Sequence, residues 1–151
     1  MLHIEVKKGT PLDIEEWMEF VKKVRTLFPG LETDEALAEH KSTVLKFMNR
    51  GEALCVADGA KIVGVLLYSR NHNMICFLAV DSDYHRQGIA SALLTEALVS
   101  LDRSRIITVS TYREGDEKGI AARALYMKFG FEPGELVEEF GYPNQVFILH
   151  P

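Results

Sequence analysis

Apolar and polar positions change period several times along the chain, and each change marks an element. Leu2 to Val6 alternates in strand fashion within Met1-Leu2-His3-Ile4-Glu5-Val6-Lys7-Lys8. Thr10-Pro11-Leu12-Asp13 then reads as a helix start, with Thr as N-cap, Pro at the first position and an acid in the first turn. Ile14, Trp17, Met18, Val21, Val24 and Phe28 recur near helical spacing, and Pro29-Gly30 stops that helix. A second helix begins near Thr33-Asp34-Glu35, carries Leu37, Val44, Leu45 and Met48, and ends at Asn49-Arg50-Gly51. Ala53–Ala57 and Ile62–Tyr68 read as strands joined through Asp58-Gly59, a hairpin signal.

Met74–Val80 is an apolar run after the Asn71-His72-Asn73 turn and reads as a buried strand. The helix opening at Gly88 groups Ile89, Leu93, Leu94, Ala97, Leu98 and Leu101. Arg105–Thr111 is a strand, 112–119 a charged loop, and Ile120–Phe129 a helix stopped by Gly130. Gln145–Leu149 closes the pattern, with Leu136–Phe140 a weaker strand before it.

Three sequential strands with tight turns predict an antiparallel part. The strand–helix–strand unit over 74–111 demands a parallel crossover. The expected fold class is α/β (α+β): a mixed central sheet of six to seven strands with about four helices on both faces. No linker, repeat or low-complexity tract interrupts it, so residues 1–151 are expected to form one domain.

A chain of 151 residues can bury roughly 68–70% of its unfolded surface. Its 47% apolar and 26% charged content fits a soluble globular protein. A net charge of −5 argues against a nucleic-acid partner, which needs a basic footprint. No apolar stretch approaches the ~20 residues of a membrane span, and no signal-peptide layout opens the chain. Cys55 and Cys76 both lie in apolar strand-like runs and are expected to be free core thiols, which points to the cytoplasm. The five His and two Cys show no ligand spacing, so no metal is expected.

The chemistry concentrates at Val80-Asp81-Ser82-Asp83-Tyr84-His85-Arg86-Gln87-Gly88-Ile89-Ala90-Ser91. A helix start leaves backbone N–H groups without partners and carries partial positive charge, a setting made for phosphate or pyrophosphate. Gly88 and Ala90 let those amides approach an anion, and Arg86 adds a full charge. A dinucleotide-binding loop would need further glycines at the first strand–helix turn, and a P-loop would need Gly-Lys-Ser/Thr; neither is present.

This segment resembles the acetyl-CoA motif of the GNAT superfamily of N-acetyltransferases, Gln/Arg-x-x-Gly-x-Gly/Ala, here His85-Arg86-Gln87-Gly88-Ile89-Ala90. Leu125-Tyr126-Met127-Lys128-Phe129-Gly130-Phe131 resembles the family's later Leu-Tyr-x-x-x-Gly-Phe motif. The strand order over nearly the whole chain agrees as well. The resemblance implies that amides of Arg86, Gln87, Gly88, Ile89, Ala90 and Ser91 hold the pyrophosphate of CoA, with the His85 imidazole able to donate to phosphate. It also implies that the backbone of Leu78, Ala79 and Val80 pairs with the pantetheine arm, in a gap that a bulge opens beside that strand. Two positions depart from the pattern. His85 stands where the family prefers Gln or Arg, and Gly119 where many members place Asn.

Acetyl transfer to an amine needs a neutral amine, a donor to the oxyanion and a proton for the thiolate. Tyr126 is the catalytic residue implied for the last task, since a phenol near pKa 10 is protonated at neutral pH. A backbone N–H near Leu78 is the implied oxyanion donor. A lysine-like amine is neutral in only about one molecule in 2,500 at pH 7, so a base or water chain must take its proton. The strand over 74–80 has no carboxylate, leaving His72, Glu32, Asp34, Glu35, Glu114 and Asp116, or water, as candidates. Residues 28–32, with Tyr142 and Pro143, are further candidates for the acceptor pocket. Neither cysteine has a base in an evident motif, so direct transfer is expected over a covalent acyl-enzyme.

The functional expectation is an acetyl-CoA-dependent N-acetyltransferase acting on an amine. The alternative is a non-catalytic acyl-CoA-binding sensor or partner-binding module. Acceptor identity and a homodimer are left open.

Overall fold

The computed structural model describes residues 3–151. Its elements in chain order are β1 (Lys7–Lys8), α1 (Ile14–Val24), α2 (Asp34–Asn49), β2 (Ala53–Asp58), β3 (Lys61–Ser69), β4 (Met74–Val80), α3 (Ile89–Ser100), β5 (Ile107–Tyr112), α4 (Ile120–Lys128), β6 (Glu132–Glu139) and β7 (Tyr142–Leu149). The seven strands make one sheet in the order β1-β2-β3-β4-β5-β7-β6. Every neighbouring pair is antiparallel except β4–β5. The mixed sheet with helices on both faces is the architecture expected from the strand–helix–strand crossover.

Two apolar clusters sandwich the sheet. On one face, α1 and α2 place Trp17, Val21, Leu37 and Val44 over Ala53, Cys55, Val65, Leu67 and Ala79. On the other, α3 and α4 place Ile89, Leu93, Leu94 and Tyr126 against Leu66, Ile75, Ile107, Val109 and Phe147. The α1/α2 cluster takes strand residues only from β2, β3 and β4.

Several boundaries differ from the sequence reading. Within the strand expected over 2–6, Leu2 lies outside the described residues. Residues 3–6 form no ladder; Ile4 and Val6 instead pack on the α3/α4-face cluster, which accounts for their alternation. Backbone pairing comes later, at Lys7 and Lys8 against Cys55 and Leu54. The first helix yields to a 3₁₀ turn over Arg25–Leu27 before it reaches Phe28, and the weak strand before β7 proves longer. Its charged alternation hid it, because β6 is the sheet edge and leaves most of its side chains exposed.

The contact that positions the site lies at the start of β4. Parallel pairing between β4 and β5 is confined to Met74 opposite Thr108. Asn73, 1% exposed, holds that end shut. Its Nδ2 donates to the carbonyls of Asp102 and Ile106, each at 2.9 Å, and its Oδ1 accepts the N–H of Asp102 at 2.8 Å. Asn tolerates the left-handed backbone found here, φ 51°. Next to this clamp, the β3–β4 register slips between Leu67–Phe77 and Tyr68–Ile75, so Cys76 is the extra residue of a bulge. Ile75 and Phe77 consequently pack on opposite faces although they are two positions apart. Asn73→Ala strands one buried N–H and two carbonyls and puts Ala at positive φ. We expect a loss of about 2–4 kcal/mol in urea unfolding; a loss below about 0.5 kcal/mol would show that the clamp does not hold the strands together.

Candidate active site

The cradle for an anion is built from backbone. Asp81 ends β4 and accepts the N–H of Asp83 at 2.9 Å, starting a short 3₁₀ turn over Ser82–Tyr84. Arg86 (φ 64°) and Gly88 (φ 84°) are both left-handed, which turns successive amides toward one side. The first bond of α3 runs from Ala92 N–H to Gly88 O, so the N–H groups of 86–91 find no acceptor among the described residues. His85, Arg86, Gln87 and Gly88 are exposed, and Ala90 and Ser91 half-buried. Ile89 turns its side chain into the core and leaves only its backbone for the cradle.

Buried charge fixes this loop. Asp81 is 1% exposed and bonds Lys23 of α1 at 2.7 Å, with Lys61 of β3 at 3.7 Å. Burial alone would raise the Asp81 carboxyl. The hydrogen bonds from Lys23 and the Asp83 N–H, with the charges of Lys23 and Lys61, outweigh it and hold the pKa below the ordinary 3.8.

The edge of β4 facing β5 is open beyond Met74. The N–H of Asp81 bonds Val63 O on β3. By two-residue alternation, Leu78 and Val80 turn their backbone groups toward the opening, while Ala79 pairs with β3 and sends its side chain into the α1/α2 cluster. Tyr126 of α4 lies on the other face of the sheet, in the cluster that also takes Ile75, Leu78 and Val80. Its ring centroid is 5.7 Å from Phe131 and 6.1 Å from Phe147. Burial pushes its pKa upward, which keeps the phenol protonated, and its hydroxyl makes no hydrogen bond among the described residues.

The opposite face carries aromatic and acidic groups. Phe28 and His40 pack on Phe77 of β4, with ring centroids 4.6 and 5.0 Å away. The hydroxyl of Tyr112, at the end of β5, donates to Leu27 O, and burial with nearby negative charge pushes its pKa up to about 12. Phe140, at the β6–β7 tip, lies over Gly30. Tyr142 donates to Asp116 at 2.7 Å.

The base candidates are scattered. Glu32 accepts the Gly30 N–H at 3.0 Å, and such backbone bonds lower its pKa. Asp116 is tied to Tyr142 and to the Lys118 N–H. Asp34, Glu35, His72 and Glu114 are exposed, His72 in the β3–β4 turn beside Arg70. Cys55 is buried as expected, but Cys76 is exposed. The bulge lifts it out of the strand's alternation, which a linear apolar run does not reveal. Gly119 shows why this chain lacks Asn there: a Cβ would sit 2.7 Å from the Tyr112 Cβ. Arg123 donates to Tyr112 O and to Gln145 at 3.0 and 2.7 Å.

His40, Tyr112 and Asn73 escaped the sequence reading. His40 had a signal, since it falls on the helical stripe between Leu37 and Val44. The other two act through loops that only the fold brings together.

Comparison with known proteins agrees with this geometry. The family model "Acetyltransferase (GNAT) domain" matches residues 50–133, more than half of the chain. The chain belongs to the GNAT acetyltransferase family. No curated protein matches it in sequence. Among solved structures, a GNAT-family acetyltransferase from Bacillus cereus superposes with TM-score 0.75 at 20% identity, covering 99% of this chain and 98% of that one. Diaminobutyrate acetyltransferase from Paenibacillus lautus, in complex with L-2,4-diaminobutyric acid and coenzyme A, gives 0.74 at 16% identity, covering 100% and 96%. The PaiA N-acetyltransferase of Thermoplasma acidophilum, in complex with coenzyme A, gives 0.69 at 16%, covering 99% and 100%. These likenesses establish the shared fold.

The depressed Asp81 pKa sets a pH dependence. A carboxyl with a lowered folded-state pKa stabilises the fold above its unfolded value, and that contribution is lost as pH falls through the folded one. Asp81→Asn should lower Tm at pH 7 by roughly 3–8 °C. The gap to the unaltered protein should narrow below pH 3.8. A gap of equal size at pH 7 and in acid, measured by scanning calorimetry, would refute the role of that charge.

Proposed function

We propose that residues 1–151 act as one catalytic domain, an acetyl-CoA-dependent N-acetyltransferase that moves an acetyl group to a primary amine by direct transfer. The observation that carries the reading is the single-register contact between β4 and β5, with unpaired amides at the open end and a protonated phenol on one side. Residues 86–91 hold the diphosphate of CoA through their N–H groups, with Arg86 adding charge. Leu78 and Val80 pair with the pantetheine arm as an added strand would. A strand edge with no partner and a left-handed cradle both fit that extended, anionic molecule. CoA supplies the activated acetyl group; the protein supplies position, an oxyanion donor near Leu78 and a proton.

Tyr126 donates to the departing sulfur. A phenol whose pKa burial raises stays protonated beside a thiol of ordinary pKa about 8.5, so its proton is available when the thiolate leaves. Direct transfer is supported by the cysteines. The thiol of Cys55 is pushed up to about 11 by burial and is no ready thiolate nucleophile, and the exposed Cys76 thiol donates to the Met74 carbonyl. Their free state also supports a cytoplasmic setting. The diamino acid bound to the Paenibacillus lautus enzyme supports an amine as acceptor class.

Calorimetry with CoA tests the cradle. Binding should weaken at least tenfold in Gly88→Val, which forces a branched residue into φ 84°. Thiol release with a panel of amines tests the enzyme; tight CoA binding with no release for any amine would favour the non-catalytic module, the reading to which a β4 without a carboxylate lends weight. Tyr126→Phe should lower kcat at least tenfold with little change in acetyl-CoA binding. Unchanged turnover would remove Tyr126 from the reaction.

A further inference from the structure

The reaction just described lacks a group that takes the proton of the incoming amine, and the structure holds a titratable nitrogen that nothing else uses. His40 of α2 packs its ring on Phe77, the residue after the Cys76 bulge, at 5.0 Å. Phe28 packs on the same ring at 4.6 Å. The Nε2 of His40 is sealed from water and has no hydrogen-bond partner among the described residues. A sealed N–H would lose its water partner outright, which favours the tautomer with its proton on Nδ1 and a bare lone pair on Nε2. An orphaned buried nitrogen of this kind calls for a partner that arrives with the substrate.

The position suits that partner. The strand next to the acyl group is β4, and Phe77 borders the bulge beside the open edge. Phe77 faces α1 and α2, opposite to Tyr126.

We propose that His40 Nε2 is the general base of the amine acetylation, a role that rests on the acetyltransferase reading above. The lone pair takes a proton from the acceptor nitrogen, giving imidazolium and an amine free to attack. The C–N bond forms and the C–S bond breaks. The second nitrogen proton replaces the one that Tyr126 gives to sulfur, and the imidazolium returns its proton to the water that follows the departing product. The net change is an ammonium and a thioester converted to an amide, a thiol and one released proton. Burial holds the His40 pKa below the ordinary 6.5, so the ring is neutral at pH 7 and ready to accept. The ionisable side chains on elements packed around it include Glu15 of α1, paired with Lys41 at 3.8 Å, Cys76 of β4 and Glu32 after α1. Desolvation alone accounts for the shift, so none of them sets the charge state of the ring.

The test uses the full chain with acetyl-CoA and the amine of highest thiol release, comparing His40→Gln and His40→Phe with the unaltered protein. Both variants are expected to bind acetyl-CoA with Kd within twofold. At pH 7 their kcat/KM should fall about 10²-fold. The acid limb of the pH profile below 6.5 should vanish in both. A folded variant that keeps kcat/KM within threefold together with that limb overturns the assignment of His40 and leaves the acetyltransferase reading intact. No thiol release by the unaltered protein with any amine overturns both. Should the variants fail to fold, nitrogen NMR of the unaltered chain decides: addition of an acetylated amine product with CoA should shift His40 Nε2, and an unmoved resonance counts against the proposal.

Discussion

The three hydrogen bonds of one buried amide set the shape on which the rest of this molecule depends. Asn73 joins the start of β4 to the turn that leads into β5, so the two parallel strands meet at one register and part beyond it. A parallel pair normally continues, because each further residue gains backbone bonds at little added entropy. Here the bulge at Cys76 changes the direction in which β4 presents its groups, and the ladder stops. The separation is stable because β4 is held on its other side by β3 over its full length, and α3 and α4 close the face beneath it. A gap between strands inside a sheet is a costly feature with unpaired backbone on both sides.

Anion binding in an acidic protein follows from the same economy of backbone. In the acetyltransferase reading proposed above, a net charge of −5 works against long-range attraction of CoA, so affinity must come from short-range donors. Six consecutive amides, two left-handed residues and a helix start supply them at fixed positions. Asp81 is what keeps them fixed. A buried carboxylate beside an anion site would repel the ligand if it were free, but two lysines neutralise it, and its remaining oxygen starts the turn that aims the loop.

Much of this was legible in the chain itself. The switch from an unbroken apolar run to a helical period at Gly88 located the loop over 81–88, because a buried strand followed by an apolar-faced helix leaves few ways to connect them. Tyr126 stood out only through the resemblance of Leu125 to Phe131 to a family motif; periodicity alone reads it as a packing residue. The miss at Cys76 has a single cause. A bulge is a property of a strand pair, set by β3 as much as by β4, and no periodicity in one strand reports it. Tyr112 and Asn73 were invisible because their partners, Leu27 and the 102–106 turn, are distant or irregular backbone. His40 was legible in principle. A lone histidine on an apolar helical stripe reads first as packing, and only its unpartnered nitrogen beside Phe77 distinguishes it.

The two faces of the sheet divide the chemistry. The α3/α4 face is covered from β2 to β7 and carries Tyr126, the acid proposed above; its dry, filled character keeps that phenol protonated. The α1/α2 cluster on the other face takes strand residues from only three of the seven strands, and beyond it Tyr112 and the β6–β7 tip meet the 27–30 segment, which carries Phe28. A base on this side and an acid on the far side cannot exchange a proton directly, since β4 stands between them. Proton release from the amine and protonation of the thiolate are then separate events, coupled only through the nitrogen that bonds to carbon. That separation removes the need for a carboxylate on β4 itself. A base on the helix above the strand serves the amine equally well, and the strand is left free to be wholly apolar, as it is from Met74 to Val80.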